Sequence, residues 1–194
     1  MHSGNCMKPF YQGKIDTFCA IYAVLNALRI THGIRTLRAR ELFNDCLLKL
    51  SKNQQEFEDV LNQTTDYIAL VDELLKTYAK AFPFIVESPF TTKKIPSVEE
   101  FWQVCEKWVN CDQHRTGIFR FKRFFDNNPN PTVKHWTVIG SIDATTLTLY
   151  DSSHDAEAIR HLHQDMYVTN IDMIDKDKSL YVQPETLRLI RLPF

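Results

Sequence analysis

Residues 19–30 read CAIYAVLNALRI, a run that is apolar on almost every side. A helix that is hydrophobic all round belongs inside a domain rather than on its surface, so this stretch predicts a buried central helix. His32-Gly33 supplies its stop, because glycine readily takes the left-handed conformation that ends helices. Just upstream, Asp16-Thr17 offers side chains that cap helices, which puts Cys19 in the first helical turn.

Outward from this helix the pattern stays helical for the first half of the chain. Thr36 to Leu50 and Asp66 to Lys80 carry apolar residues at three- and four-residue spacing and predict helices buried on one face. Ser97-Val-Glu-Glu100 has capping-box spacing and predicts a helix running to about Val109. Beyond Cys111 the composition turns to β-branched and aromatic residues, predicting strands at Gly117 to Phe121, Val133 to Ile142, Thr146 to Tyr150 and Leu187 to Leu192. Phe125 to Pro131 reads as a loop by its Asn and Pro content. The expected fold class is α+β: one domain over residues 1–194, with a helical N-terminal part packed on an antiparallel sheet.

A chain of 194 residues can bury such a core without disulfides or metals. Its 23 basic and 24 acidic residues nearly cancel, which removes bulk electrostatics as a reason to bind nucleic acid or a membrane surface. Five cysteines, at positions 6, 19, 46, 105 and 111, lack the paired spacing of a secreted disulfide framework, so a reducing compartment is expected. Met1 to Tyr11 holds no apolar run of signal-peptide length, and 18 consecutive apolar residues occur nowhere. The expected location is cytoplasmic, either in the cell of origin or in a target cell reached through a secretion machine.

Four residues carry the chemistry. At a helix start, free N–H groups and partial positive charge stabilise a thiolate, the reactive form of cysteine, which makes Cys19 a candidate nucleophile. On its own a cysteine in an apolar helix is a small core residue, so a base must accompany it. His135 lies in VKHWTVIGSID (133–143), and Asp151 closes TTLTLYD (145–151). A turn centred on Asp143 sets His135 opposite Asp151 on one face and Trp136 opposite Tyr150 on the other. Thr137 and Ile139 then fall beside Leu149 and Leu147, and one bulge would shift this register by a residue. Asp143 is the poorer orienter, since eight strand residues separate it from His135 by roughly 26 Å. A His–carboxylate pair lets the imidazole accept a thiol proton. Gln12, seven residues ahead of Cys19, offers a side-chain amide to an oxyanion, together with the Cys19 backbone N–H.

The order Gln12, Cys19-Ala20 opening a buried helix, Lys134-His135-Trp136 in a strand and Asp151 at the end of the next resembles the papain-like cysteine peptidases. The short spacing from His135 to Asp151 is similar to that of the peptidases that remove double-glycine leaders from bacteriocins, and CAIYAVLNAL resembles the Josephin-type deubiquitinases. The pattern departs from the leader peptidases at Phe18, where an acidic residue is usual, and at Ala20, where Gly is usual. The resemblance covers about a third of the chain. It implies a papain-like fold, with Cys19, His135, Asp151 and Gln12 in the catalytic roles and no cofactor or metal. It further implies cleavage of a protein substrate at small residues such as Gly-Gly, in the manner of toxins delivered between bacteria, with a cognate immunity or inhibitor protein as a second partner. Deamidases, acyltransferases and deubiquitinase-like hydrolases use the same residues, and a non-catalytic protein-binding module is the remaining alternative.

Other signals are weaker. Cys105, Cys111 and His114 lack a fourth ligand at finger-like spacing, and His154, His161 and His163 read as a solvated polar segment. Arg120, Lys122 and Arg123 interleave with Phe119 and Phe121, a pattern that strand alternation explains without nucleic-acid stacking.

Overall fold

The apolar stretch forms helix α1 (Cys19–His32), in which Ala20, Ile21, Ala23, Val24, Leu25, Ala27 and Leu28 are each at most 1% exposed. Gly33 ends it with φ 64°, its N–H donating to Arg29 O at 3.0 Å. Glycine takes that conformation without the Cβ clash that penalises other residues. The computed structural model describes residues 8–12, 17–90, 94–124, 133–153, 161–175 and 180–193. Cys6, Asp16, His154 and the expected loop at Phe125 to Pro131 fall outside these residues.

Around α1 pack α2 (Thr36–Leu50), α3 (Gln54–Leu61) and α4 (Tyr67–Tyr78). The sheet comprises β1 (Ile85–Glu87), β2 (Arg115–Arg123), β3 (Val133–Ile142), β4 (Thr146–Leu149), β5 (His161–His163), β6 (Tyr167–Val168) and β7 (Leu180–Arg191), and α5 (Val98–Val109) precedes β2. Strand order is β1-β7-β2-β3-β4-β5, with β6 also beside β7; the described pairs are antiparallel apart from β6–β7. Strand alternation divides the interior in two. Ile118, Trp136, Val138 and Ile190 join α1 in a first core, while Phe119, Phe121, Ile139 and Leu149 join Phe101, Trp102 and Cys105 of α5 in a second. The protein is thus α+β, with helices on both faces of its sheet. Among the described residues no helix is long and apolar enough to cross a membrane.

Several boundaries differ from the sequence reading. Helix α3 was not expected, because QQEFEDVL is mostly polar; its start is fixed by Asn53, whose side chain accepts from Glu56 N at 3.3 Å. β1, β5 and β6 are too short to show alternation. β7 begins at Leu180 rather than Leu187: Pro184 interrupts the run, but a bulge absorbs it, since Ile118 pairs with Arg188 and Arg120 with Gln183. Thr186 bridges that bulge, accepting from Arg120 N at 2.9 Å and donating to Gln183 O at 2.6 Å.

The β3–β4 register is also corrected. Ile139 pairs with Leu149 rather than with Leu147, Ser141 pairs with Thr148, and Tyr150 N donates to Val138 O at 2.9 Å. Tyr150 therefore neighbours Val138, not Trp136. The irregularity sits at Gly140, where a Cβ would stand 3.1 Å from Thr148 O, so this close backbone approach depends on glycine. Asp143 belongs to the turn itself, its Oδ1 accepting from the N–H groups of Thr145 and Thr146.

Candidate active site

Cys19 is the first residue of α1, 9% exposed, with Phe18 as the N-cap. Phe18 offers no side-chain cap, Thr17 turns its hydroxyl to Val60 O at 3.3 Å, and Asp16, the other expected cap, lies outside the described residues. The first N–H groups of the helix, that of Cys19 among them, therefore take no acceptor from the N-cap side chain.

His135 is 8% exposed on β3, its ring meeting Phe121 edge-on at 5.7 Å. Its Nε2 donates to Asp151 Oδ2 at 2.9 Å and Oδ1 at 3.1 Å. Cys19 faces the same imidazole across one cavity and interacts with it electrostatically. Burial alone would lower the His135 pKa, but the hydrogen bond and charge of Asp151, with Cys19 adding to them, raise it to about 10.

Asp151, 1% exposed, lies just past the end of β4. It also accepts from the Thr137 hydroxyl and from Ser153 N at 2.7 Å. Burial pushes its carboxyl up, yet these donors and the His135 charge hold it below the ordinary 3.8. The corrected register places Thr137 directly across from Asp151, so the carboxylate reaches His135 along a diagonal.

Gln12 is moored at two points. Asn26, wholly buried in α1, receives Phe10 N on Oδ1 at 2.7 Å and donates Nδ2 to Phe10 O at 3.1 Å, which holds the chain ahead of the helix. Gln12 N then donates to Ser152 O at 2.7 Å, beside Asp151. Gln12 Oε1 accepts from Ser152 Oγ at 3.5 Å, which makes Nε2 the donor end of the amide.

Gln12, Cys19 and His135 border one cavity of about 80 Å³, so the structure brings three of the expected residues to a single space, with Asp151 behind the imidazole. The remaining walls are Thr17, Lys134 and Trp136, which flank the expected residues, and Gln63, Tyr67 and Arg120, which the sequence did not single out for the site. Gln63 lies in the turn between α3 and α4 with φ 58°, a conformation costly for a residue with a side chain and often found at functional sites. Tyr67 donates its hydroxyl to Val60 O at 3.0 Å, and burial raises its pKa to about 12. Asn26 had one available signal, being the only amide in an otherwise apolar helical stretch. A roomier cavity of about 410 Å³ lies between residues 8–11, α1 and α2, but it contains none of the expected catalytic side chains.

Of the other candidates, Cys105 is fully buried in the second core, while Cys111 and His114 are exposed. Among the described residues no group of three His, Cys, Asp or Glu side chains could hold a metal. His161 and His163 are exposed on edge strand β5, with buried Leu162 between them. No family model matches the chain, and no curated protein matches it in sequence.

Proposed function

We propose that the chain is a papain-like cysteine peptidase that cleaves a peptide bond in a protein substrate. The observation that carries this reading is the position of His135, bound through Nε2 to buried Asp151 and bordering one cavity with Cys19 at the helix start. A buried imidazole held between a carboxylate and a thiol is arranged for nucleophilic acyl transfer.

The Cys19 thiolate attacks the substrate carbonyl carbon, forming a C–S bond and a tetrahedral oxyanion. Gln12 Nε2 and the Cys19 N–H donate to that oxygen. As the intermediate collapses, the C–N bond breaks and His135 gives its proton to the leaving amine; its raised pKa keeps that proton in place at neutral pH. Water then attacks the thioester, His135 taking its proton, and the carboxylic product departs as Cys19 is released. Asp151 orients the ring throughout. A cavity of about 80 Å³ favours small residues such as Gly-Gly beside the scissile bond. The setting that suits such a domain is the cytosol of a target cell, with a cognate inhibitor protecting the producer.

The test uses Cys19→Ala as bait in lysate, followed by intact-mass analysis of a retained protein incubated with the wild-type chain. Two fragments from one cut, absent with Cys19→Ala or His135→Ala, support the peptidase. A small mass gain on an intact chain would mean side-chain deamidation, and no change would mean a binding module.

A further inference from the structure

The stretch Arg120, Lys122, Arg123, interleaved with phenylalanines, is divided by the strand. Phe119 and Phe121 are fully buried in the second core, while Arg120 and Lys122 alternate with them on the face of Trp136. Across the ladder Arg120 pairs with Trp136 and Lys122 with Lys134, so three cations crowd one patch of two adjacent strands. Burial lowers the Lys122 pKa, and the neighbouring charges of Arg120 and Lys134 lower it further, with Glu185 acting in the opposite sense.

Like charges gathered in this way destabilise a fold unless something negative meets them. Among the described residues, none of the three has an ion-pair partner within 4.0 Å. Arg120 instead lies over the Tyr67 ring at 5.4 Å, and its Nε is buried without an acceptor. Trp136, 1% exposed, likewise leaves its indole N–H without an acceptor. Arg120, Lys134 and Trp136 border the same cavity as Cys19, and no carboxylate lines it. Buried donors without acceptors, set among unpaired cations, describe a place built to receive an anion.

We propose that Arg120 and Lys134, backed by Lys122, form an anion subsite beside Cys19 that binds a carboxylate of the substrate chain next to the scissile bond. The inference rests on the peptidase reading and adds a substrate preference to it. The carboxylate belongs either to an acidic side chain or to a chain terminus; both present the same two oxygens to the cations.

Two alkylating reagents test this without knowledge of the substrate. Iodoacetate and iodoacetamide both transfer a carbon to a thiolate with loss of iodide, and they differ in that the first carries a carboxylate. The rate ratio of the two reagents at Cys19 is measured by peptide mapping of the full chain, with exposed Cys111 as the internal reference. The ratio at Cys19 is expected to exceed that at Cys111 by about tenfold at low salt and to shrink as salt screens the cations. Arg120→Gln with Lys134→Gln is expected to return it to the Cys111 value; the salt dependence of the wild type gives the same answer should that variant fold poorly. Protection of Cys19 from iodoacetamide by N-acetylaspartamide assigns an acidic side chain, and protection by N-acetylglycine a chain terminus. A Cys111-like ratio at a fast-reacting Cys19 overturns the subsite and leaves the peptidase standing. A Cys19 that reacts with neither reagent overturns both.

Discussion

Asp151 stands across the ladder from Thr137, and it reaches His135 on the diagonal, its Oδ2 2.9 Å from Nε2. The turn from Asp143 to Thr146 sets most of this offset, and the irregularity at Gly140 shifts the register by one further residue, from Ser141 opposite Thr148 to Ile139 opposite Leu149. A diagonal carboxylate needs a second anchor to hold its angle, and Thr137 supplies one. Thr137→Val is therefore expected to lower the turnover number by roughly tenfold, with little change in KM, because the base is misaimed while substrate contacts remain. Steady-state kinetics on the trapped substrate measure this, and an unchanged turnover number would remove Thr137 from the positioning of Asp151.

The cysteines should separate by reactivity in an order that exposure alone would not give. Cys111 is exposed, Cys46 is buried with its thiol pushed up to about 11, and burial raises Cys105 further. Cys19 is nearly buried but combines a helix start with His135, so it is expected to alkylate faster than Cys111 at neutral pH. Limited iodoacetamide labelling with peptide mapping ranks them, and His135→Ala should erase the advantage. A Cys111 that labels first in the wild type would remove the thiolate argument.

Stability should depend on pH through the same pair. Folding raises the His135 pKa from 6.5 to about 10, so its contribution is complete below pH 6.5 and is lost as pH rises through about 10. Asp151 is held below 3.8, so its contribution is present above pH 3.8 and fades as pH falls through the lower folded value. The expected Tm profile is highest between these limits and declines on both sides. His135→Gln should flatten the alkaline decline specifically; parallel profiles for the two proteins would show that His135 does not set it.

Asn26 ties the segment carrying Gln12 to the catalytic helix. Asn26→Ala leaves Phe10 N–H and C=O without their partner, at a cost of about 1–3 kcal/mol in stability. Turnover should fall more than a purely global destabilisation explains, since the donor end of Gln12 loses its position. Denaturant midpoints and kinetics at a temperature where the variant is fully folded separate the two effects. Full activity there would detach Gln12 from this mooring.

Where the chain repeats a pattern, its structure was legible. Thr36 to Leu50 and Val133 to Ile142 appear with the boundaries that their periodicity implied, and Ser97 caps α5 by accepting from Glu100 N at 3.1 Å. Helix α3 escaped because its apolar stripe, Phe57, Val60 and Leu61, spans barely one turn of a mostly polar stretch, and its stability comes from a cap and from packing Val60 into the first core. Pro184 argued against a strand, yet a bulge opposite β2 accommodates it. For Pro184 and for Val60 the missing information was the identity of a distant neighbour.

For this protein the sequence by itself determined the buried helix, the α+β arrangement, and the presence of a thiol, an imidazole, a carboxylate and an amide in a telling order. It did so because hydrophobic periodicity and turn chemistry are local properties of consecutive residues. The tertiary structure decided how those groups meet: the diagonal reach of Asp151, the mooring of Gln12 by Asn26, and the cations of β2 and β3 beside Cys19. These depend on strand register and on packing between elements far apart in the chain. A single bulge at Gly140 is enough to change which residue faces which, and no local pattern around it records that contact.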